Sequence, residues 1–400
     1  MAPEPRGEPL MSLAAGRLLT VLVLIVLAVG GAAFLVSRAG TGPSRAGSGQ
    51  SRAGSGAAAA DAPSIPQLAG QRIVYSYAGL RPPGSLLAAI RAGEAAGVIF
   101  FADNVAGAAQ LRGVVDRLQR LARAAPGHRP LLMLTDQEGG AVRRLPGPPV
   151  DSERTIGDSP DGSRRAAAAG AAAARTLRAT GVNVNLAPVL GVYRQTGNFI
   201  DQYGRAYSAH AGVAGRLGAA FIAAQQRSGV AATAKHFPGL GAASTAQNTD
   251  LRPVSLATPA ATLRAVDERP YRAAIAAGVK LVMVSWARYP ALDAAHPAGL
   301  SARIIDGELR GRLGFRGVTV TDGIQAGGLE GFGNAGARAV AAARAGADLI
   351  LCAAVGPSAD SPAIGIQARS ALAAAIASGE ISRSAARASA ARILALRAHP

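Results

Sequence analysis

Cysteine and lysine are almost absent from this chain of 400 residues. Cys352 is the single cysteine, so the chain forms neither an intrachain disulfide nor a cluster of metal-binding thiolates. It lies in an apolar run and is expected to be a small buried residue. Lys235 and Lys280 are the only lysines, and the other 40 of the 42 basic residues are arginine. A lysine next to a histidine, at Lys235 and His236, therefore indicates a functional position, with an ordinary buried strand end as the alternative.

Aromatic residues make up only 4% of the chain, so alanine and branched aliphatic side chains must fill most of the core. The formal net charge of +18 is compatible with a polyanionic partner. The arginines are scattered over helical stretches, however, and no basic run is interleaved with aromatic residues. We therefore expect no nucleic-acid partner, and attraction to an anionic cell envelope is the alternative.

The N-terminal 62 residues do not have the pattern of a folded domain. Residues 18–36 are uncharged between Arg17 and Arg38, and a helix of this length spans about 28 Å, close to the hydrocarbon thickness of a membrane. No clear cleavage site follows, which favours an uncleaved transmembrane signal anchor at 18–37 after a cytoplasmic stub at 1–17. Residues 38–62 are rich in Gly, Ser, Ala and Arg and predict a flexible linker. We thus expect a single-pass protein of the cell membrane, with the domain 63–400 on the extracytoplasmic side.

Apolar runs alternate with alanine-rich helical segments through residues 63–400. The runs lack the in–out alternation of half-exposed strands, which indicates a parallel sheet covered by helices on its outer face. Eight such runs favour an α/β fold of the closed (β/α)8 TIM-barrel type over an open doubly wound sheet. The predicted strands are residues 73–78, 98–102, 131–136, 182–188, 230–236, 281–286, 318–322 and 348–353.

Polar residues fall at the carboxyl ends of these predicted strands, where barrel enzymes carry their catalytic loops. They are Asp136 and Glu138 after the third strand, Asn198, Asp201 and Arg205 after the fourth, Lys235 and His236 after the fifth, and Asp322 after the seventh. Such a set binds sugar hydroxyls through charge-assisted hydrogen bonds, and a central carboxylate such as Asp322 can attack an anomeric carbon. Taken singly, each residue is as well explained by a capping or structural role.

No grouping of His, Asp and Glu has the spacing of metal ligands, so neither a metal nor another cofactor is expected. No glycine-rich loop follows a strand in phosphate-binding form. The glycine pairs at 139–140 and 327–328 are expected to turn the chain tightly or to let backbone approach a ligand.

Five segments resemble the successive signatures of glycoside hydrolase family 3, in particular its single-domain bacterial β-N-acetylhexosaminidases. They are DQEGGAVRRL (136–145), NLAPV (185–189), GRAYS (204–208), KHFPG (235–239) and VTDG (320–323). The resemblance covers roughly residues 65–400. It implies a (β/α)8 barrel that removes terminal β-linked N-acetylglucosamine with retention of configuration and without a metal. It also implies that Asp322 is the nucleophile and that Asp136, Arg205, Lys235 and His236 hold the sugar.

The loop after KHFPG departs from the family pattern. Relatives continue with His-Gly and then carry an Asp-x-His pair, whose histidine is the general acid/base. In this chain the aligned positions are Ala246 and Asn248, and neither side chain can transfer a proton. Asp250, at the far end of the loop, is the nearby titratable candidate for this role. Gly191 also replaces an aspartate of the family.

Two functions remain after this comparison. The first is a monomeric glycosidase that acts on N-acetylglucosamine-containing, cell-wall-type glycans and is attached to the membrane by its N-terminal helix. The alternative is a catalytically reduced barrel that only binds glycans, because it lacks the histidine acid/base.

Overall fold

A computed structural model describes residues 63–353 and 361–400. Its centre is a sheet of eight parallel strands in which each strand pairs with the next along the chain. A parallel bridge between Val320 and Leu349 joins the seventh strand to the eighth and closes the ring. The predicted (β/α)8 barrel is confirmed. The barrel strands are β1 (Ile73–Tyr75), β2 (Gly97–Ile99), β3 (Leu132–Thr135), β4 (Val184–Asn185), β5 (Ala231–Phe237), β6 (Leu281–Val284), β7 (Val318–Thr321) and β8 (Ile350–Cys352).

Helices connect the strands and cover the outside of the barrel. They are α1 (Ile65–Gly70), α2 (Gly84–Arg91), α3 (Ala108–Ala124), α4 (Glu153–Gly157), α5 (Gly162–Thr180), α6 (Ala211–Arg227), α7 (Ala260–Thr262), α8 (Arg269–Ala276), α9 (Ala335–Arg344), α10 (Ser361–Ser378) and α11 (Arg383–Ala398). Shorter 3-10 turns occupy Ala102–Asn104, Gln202–Gly204, Ala298–Leu300 and Gly327–Leu329, and π-helical segments occupy Leu263–Asp267 and Arg303–Arg312. Two small hairpins pair Gln137–Gly139 with Val142–Arg143 and Arg288–Tyr289 with Asp293–Pro297.

Small side chains allow the helices to pack closely in this aromatic-poor chain. At Gly170 of α5, an added Cβ would lie 2.3 Å from the carbonyl oxygen of Phe221 in α6. Ala166, Ala173 and Ala214 are fully buried in the same interface. Because interiors are close-packed, backbone-to-backbone approach here replaces the volume that larger side chains supply elsewhere.

The last helix lies across the N-terminal ends of the barrel strands. Arg397 donates to the carbonyl oxygens of Arg129 and Pro130, just before β3, and of Ala95, just before β2. Arg392 of the same helix pairs with Asp348, which precedes β8 and also binds Arg310. The side chains of α11 thus close the end of the barrel opposite the carboxyl ends of the strands.

The predicted membrane anchor at 18–37 and linker at 38–62 lie outside the described residues. Within residues 63–353 and 361–400, no helix combines the length and apolar character required to cross a membrane. Cys352 is fully buried in β8, as expected from its apolar surroundings, and burial raises the pKa of its thiol.

Candidate active site

A cavity of about 750 Å³ opens at the carboxyl ends of the barrel strands. The six residues to which the family resemblance and the divergent loop assign a role all line this cavity: Asp136, Arg205, Lys235, His236, Asp250 and Asp322. They come from the carboxyl end of β5 and from the connections after β3, β4, β5 and β7. The fold therefore brings together residues up to 186 positions apart in the sequence, from Asp136 to Asp322.

Lys235 and Arg205 are held by two carboxylates. The Lys235 Nζ lies 2.8 Å from Asp136 Oδ1 and 2.7 Å from Glu138 Oε1. Arg205 donates two hydrogen bonds to Glu138, from Nε to Oε2 at 2.9 Å and from Nη2 to Oε1 at 2.8 Å. Burial alone would raise the pKa of Glu138, but the charges of Arg205 and Lys235 lower it to about 2. Paired in this way, all four side chains remain charged and fixed in position.

The pairing leaves hydrogen-bonding capacity for a ligand. A lysine ammonium has three protons, and Lys235 directs only two of them at Asp136 and Glu138. Burial raises the pKa of Asp136, but the charges of Lys235 and Arg144 outweigh this effect and the net shift is downward. The cavity wall therefore offers both an anionic acceptor and cationic donors to a polyol.

Asp322 lies just after β7, where its Oδ1 accepts a hydrogen bond of 2.8 Å from the Gly323 N–H. Burial, followed by the negative charge of Asp250, raises the pKa of Asp322 to about 7. Burial also raises the pKa of Asp250. The two carboxyls interact electrostatically, so we treat them as a pair whose protons are lost in two coupled steps.

His236, in β5, lies next to Asp322. The distance from its Nε2 to Asp322 Oδ2 is 3.8 Å. Burial and the charge of Lys235 lower the pKa of His236 well below its usual value, so the ring is neutral at pH 7. The pairing of β5 with β6 is irregular between Ala234 and Phe237, and Lys235 and His236 consecutively line the same cavity. Such an irregularity in a strand redirects side chains that would otherwise alternate between the two faces.

The 240–250 loop, which follows β5, is attached at both ends. At its start, the Gly241 carbonyl accepts hydrogen bonds from the Arg194 N–H at 2.9 Å and from Asn198 Nδ2 at 2.8 Å. At its end, Gly327 and Gly328 donate their N–H groups to the carbonyl oxygens of Asp250 and Thr249, both at 2.8 Å. Contacts from the β4 connection thus hold the start of the loop, and contacts from the β7 connection hold the Asp250 backbone at the cavity that contains Asp322.

A family model described as "Glycosyl hydrolase family 3 N terminal domain" matches residues 76–396. The chain belongs to this family. The match runs from the end of β1 into α11 and includes every residue that lines the cavity.

Relatives and solved structures agree with this assignment. A protein of Arthroderma benhamiae named as an uncharacterized secreted glycosyl hydrolase is 50% identical over 286 residues, or 71% of this chain and 80% of that protein. A beta-hexosaminidase of Xylella fastidiosa is 35% identical over 266 residues, or 64% of this chain and 75% of that protein. The family 3 beta-N-acetylglucosaminidase structure from Paenibacillus superposes with a TM-score of 0.79 and 35% identity, over 84% of this chain but 63% of that one. The beta-N-acetylhexosaminidase structure from Beutenbergia cavernae superposes with a TM-score of 0.75 and 30% identity, over 84% of this chain and 99% of that one.

The departures of this family 3 barrel from the sequence pattern of its relatives have structural counterparts. Asn248, at the position of the expected histidine, accepts a hydrogen bond of 2.8 Å from the Asp250 N–H and so shapes the turn that presents Asp250. At Gly191, an added Cβ would lie 2.5 Å from Ile200 Cγ1, so an aspartate does not fit beside Ile200 in this backbone. The space that the aspartate would need is occupied by an aliphatic side chain.

Two residues that the sequence suggests for the site have other contacts in the family 3 barrel. Asp201 binds Arg154 at 2.6 Å and accepts from the Gly197 N–H at 2.7 Å, and Asn198 binds Gly241. Neither side chain lines the cavity. Both stabilise the connection after β4, from which Arg205 reaches Glu138.

The sequence placed Glu138 among the polar residues at the strand ends without showing its contacts, and it gave no signal for Glu153. Glu138 lines the cavity and is the shared partner of Lys235 and Arg205. Glu153 begins α4, is 1% exposed, and accepts a hydrogen bond from the Val189 N–H through Oε1. Burial and the charge of Glu138 raise the pKa of Glu153 well above its usual value, which favours its neutral acid form. No strand-end or motif signal marks Glu153 in the sequence.

Proposed function

We propose that this family 3 barrel is a retaining glycosidase that removes terminal β-linked N-acetylglucosamine from cell-wall-type glycans. The observation that carries the proposal is the position of Asp322 in a cavity whose wall holds charged hydrogen-bonding groups from three other connections. The names of the relatives from Xylella, Paenibacillus and Beutenbergia support the choice of sugar.

In the first step, the Asp322 carboxylate attacks the anomeric carbon and forms a covalent glycosyl-enzyme while the glycosidic C–O bond breaks. Asp250 gives its proton to the departing oxygen. The Gly323 N–H that binds Asp322 Oδ1 leaves Oδ2 free to attack. In the second step, Asp250 takes a proton from water, whose oxygen attacks the same carbon and releases Asp322. The configuration is retained after two inversions.

The raised pKa values of the two aspartates support the presence of one shared proton in this pair. Two like charges in a buried site oppose each other, so the pair retains a proton at a pH where isolated carboxyls would be ionised. A single shared proton is what the first step requires, with one carboxylate as nucleophile and one carboxylic acid as donor. Asp250 replaces in this scheme the histidine that relatives carry two positions earlier.

The remaining cavity residues bind the sugar that is attacked. Lys235 donates its third proton and Arg205 its unpaired N–H groups to hydroxyls, and Asp136 accepts from them. His236 is neutral and adds one donor or acceptor near the anomeric centre. Because these groups are already ion-paired, no reorganisation is needed when the substrate enters.

We also propose that the domain acts outside the cytoplasm as a monomer. The relative from Arthroderma is named as secreted, and the apolar stretch 18–37 would hold this chain at the membrane surface. Fractionation of cells that produce the full chain, or the chain without residues 1–37, tests the attachment. Recovery of both forms in the soluble fraction contradicts it.

The activity is tested with an aryl N-acetyl-β-glucosaminide and with the disaccharide N,N′-diacetylchitobiose. We expect turnover of the aryl substrate by the wild type and its loss in Asp322→Ala. If neither substrate is turned over and the wild type is indistinguishable from Asp322→Ala, the enzyme proposal fails. Binding of the disaccharide without turnover would then favour the alternative, a catalytically reduced barrel that binds glycans.

A further inference from the structure

Tyr203 is an exposed aromatic residue at the rim of the catalytic cavity. Four large hydrophobic residues of the described chain are exposed: Leu80, Val150, Tyr203 and Leu251. Tyr203 is the most exposed of them, at 70%, and the one that lines the cavity. The charged groups at the base of the cavity are much less accessible, with the Asp322 side chain 23% and the Lys235 side chain 3% exposed.

The backbone holds Tyr203 in a left-handed conformation, with φ +66° and ψ +14°. A bulky residue adopts this conformation only at a cost in free energy, and such outliers persist where the surrounding structure imposes them. Glycine would adopt it without the cost. The large ring at this position therefore needs an explanation other than the local backbone.

The chain segments before and after Tyr203 are held by contacts with the rest of the barrel. On one side, Asp201 is buried against Arg154. On the other, Gly204 also has a positive φ, of +69°, and an added Cβ there would lie 2.7 Å from Ser152 Oγ. Arg205 then enters its paired contact with Glu138. The ring of Tyr203 is thus held at the cavity rim by a backbone with little freedom, although the ring itself is open to solvent.

We propose that Tyr203 forms the binding subsite for the sugar on the leaving-group side of the cleaved bond. This inference rests on the proposed glycosidase function. The buried charged groups bind the terminal sugar next to Asp322, so the rest of the substrate must extend outward to the rim. The C–H-rich face of a pyranose ring packs on the electron-rich face of an aromatic ring, and fixing the ring beforehand lowers the entropy cost of that contact.

The test compares ligands that do and do not reach the rim. N-acetyl-β-glucosaminyl fluoride is an activated substrate whose leaving group contains no ring, and its turnover reports on the catalytic centre alone. Against this substrate, inhibition constants are measured for N-acetylglucosamine and for N,N′-diacetylchitobiose. The disaccharide occupies the proposed subsite whether or not it is cleaved.

In Tyr203→Ala we expect the inhibition constant of the disaccharide to rise about three- to tenfold, with kcat/KM for the fluoride and inhibition by the monosaccharide unchanged. Tyr203→Phe keeps the ring and should behave as the wild type. Tyr203→Gly removes the ring and also relieves the left-handed conformation, so it should weaken disaccharide binding while Tm stays equal or rises. Val150→Ala, at a similarly exposed apolar position outside the cavity, is the matched control.

Unchanged disaccharide inhibition in both Tyr203→Ala and Tyr203→Gly overturns the subsite. An equal loss for the fluoride, monosaccharide and disaccharide in both variants also overturns it, because it indicates a structural role only. Failure of the glycosidase proposal gives a different result, namely no turnover of the fluoride by the wild type.

Discussion

Gly327 donates its backbone N–H to the carbonyl oxygen of Asp250 at a distance of 2.8 Å. The contact joins the loop after β5, which presents the proposed proton donor, to the segment after β7, which begins with the proposed nucleophile Asp322. An added Cβ at Gly327 would lie 2.3 Å from the Leu251 carbonyl carbon. The separation of the two carboxyl groups is therefore fixed by backbone packing between two connections.

Gly327→Ala tests this relationship. The methyl group must displace the backbone next to Asp250, and a misplacement of about 1 Å can cost roughly 100-fold in rate. We expect kcat for disaccharide cleavage to fall by about 10- to 100-fold, with a smaller loss for an aryl glycoside that needs no proton donor. Gly113→Ala is the control, because a Cβ at Gly113 in α3 meets nothing within 4 Å. Equal losses of kcat on both substrates would contradict a role of Gly327 in positioning Asp250.

Asp250→Asn tests the proton donor itself. An amide cannot give up a proton, and general acid/base help accounts for about 10²- to 10⁴-fold in rate. We expect disaccharide cleavage to fall by this order, whereas cleavage of an activated aryl glycoside should fall much less. The measurement is kcat for both substrates in the wild type and the variant. The ratio of the two losses decides whether Asp250 is the proton donor. If the two rates fall in parallel, Asp250 is not the acid.

The pH dependence of the same variant reports on the coupling between the carboxyls. Burial and the charge of Asp250 raise the pKa of Asp322 to about 7. Asp250→Asn removes that charge, so the pKa of Asp322 falls and its carboxylate persists to lower pH. We therefore expect the acidic limb of kcat/KM for an aryl glycoside to move to lower pH. Asp103 is another carboxyl at the cavity rim, and Asp103→Asn should leave the acidic limb at the same pH. A limb that does not move in Asp250→Asn contradicts the coupling.

Glu153→Gln tests whether Glu153 is protonated in the folded protein. Its folded pKa is raised well above the usual value, so the stability it contributes is present at low pH. That stability is lost as pH rises past the unfolded pKa, near 4.5, because the unfolded chain then releases a proton that the folded chain retains. The glutamine amide would be neutral in both states and keeps an oxygen for the Val189 N–H. We expect a higher free energy of unfolding at pH 7 and little change at pH 4, measured by denaturant titration. Destabilisation at pH 7 would contradict this expectation.

The barrel was predictable from sequence because its eight strands are buried on both faces and form uninterrupted apolar runs. Strand ends were less well defined: the run 182–188 predicts a full strand, whereas the regular strand is Val184–Asn185. The site was predictable where polar residues end a strand, as at Asp136, Lys235 and Asp322. The glycine pair at 327–328 was expected to turn the chain tightly or to approach a ligand. In the structure it packs against the backbone at the end of the 240–250 loop.

Features that depend on contacts between distant segments were not predictable. Glu153 belongs to the site only because α4 packs beneath Glu138 and Val189. The left-handed backbone at Tyr203 was not predictable, because the sequence suggests the next residue, Gly204, for such a conformation. In both cases the tertiary environment overrides the local preference of the residue, which a single sequence does not reveal.

The contacts of α11 have a consequence for how the chain folds. Arg397 binds the carbonyl of Ala95, 302 residues earlier, and Arg72 binds that of Asp348, 276 residues later. Contacts this distant in sequence slow folding, because a long stretch of chain must be ordered before they form. During synthesis, the N-terminal ends of the barrel strands stay uncovered until α11 has left the ribosome. We expect nascent chains of this protein to expose the N-terminal ends of the barrel strands until α11 has emerged, and to require protection from aggregation until then.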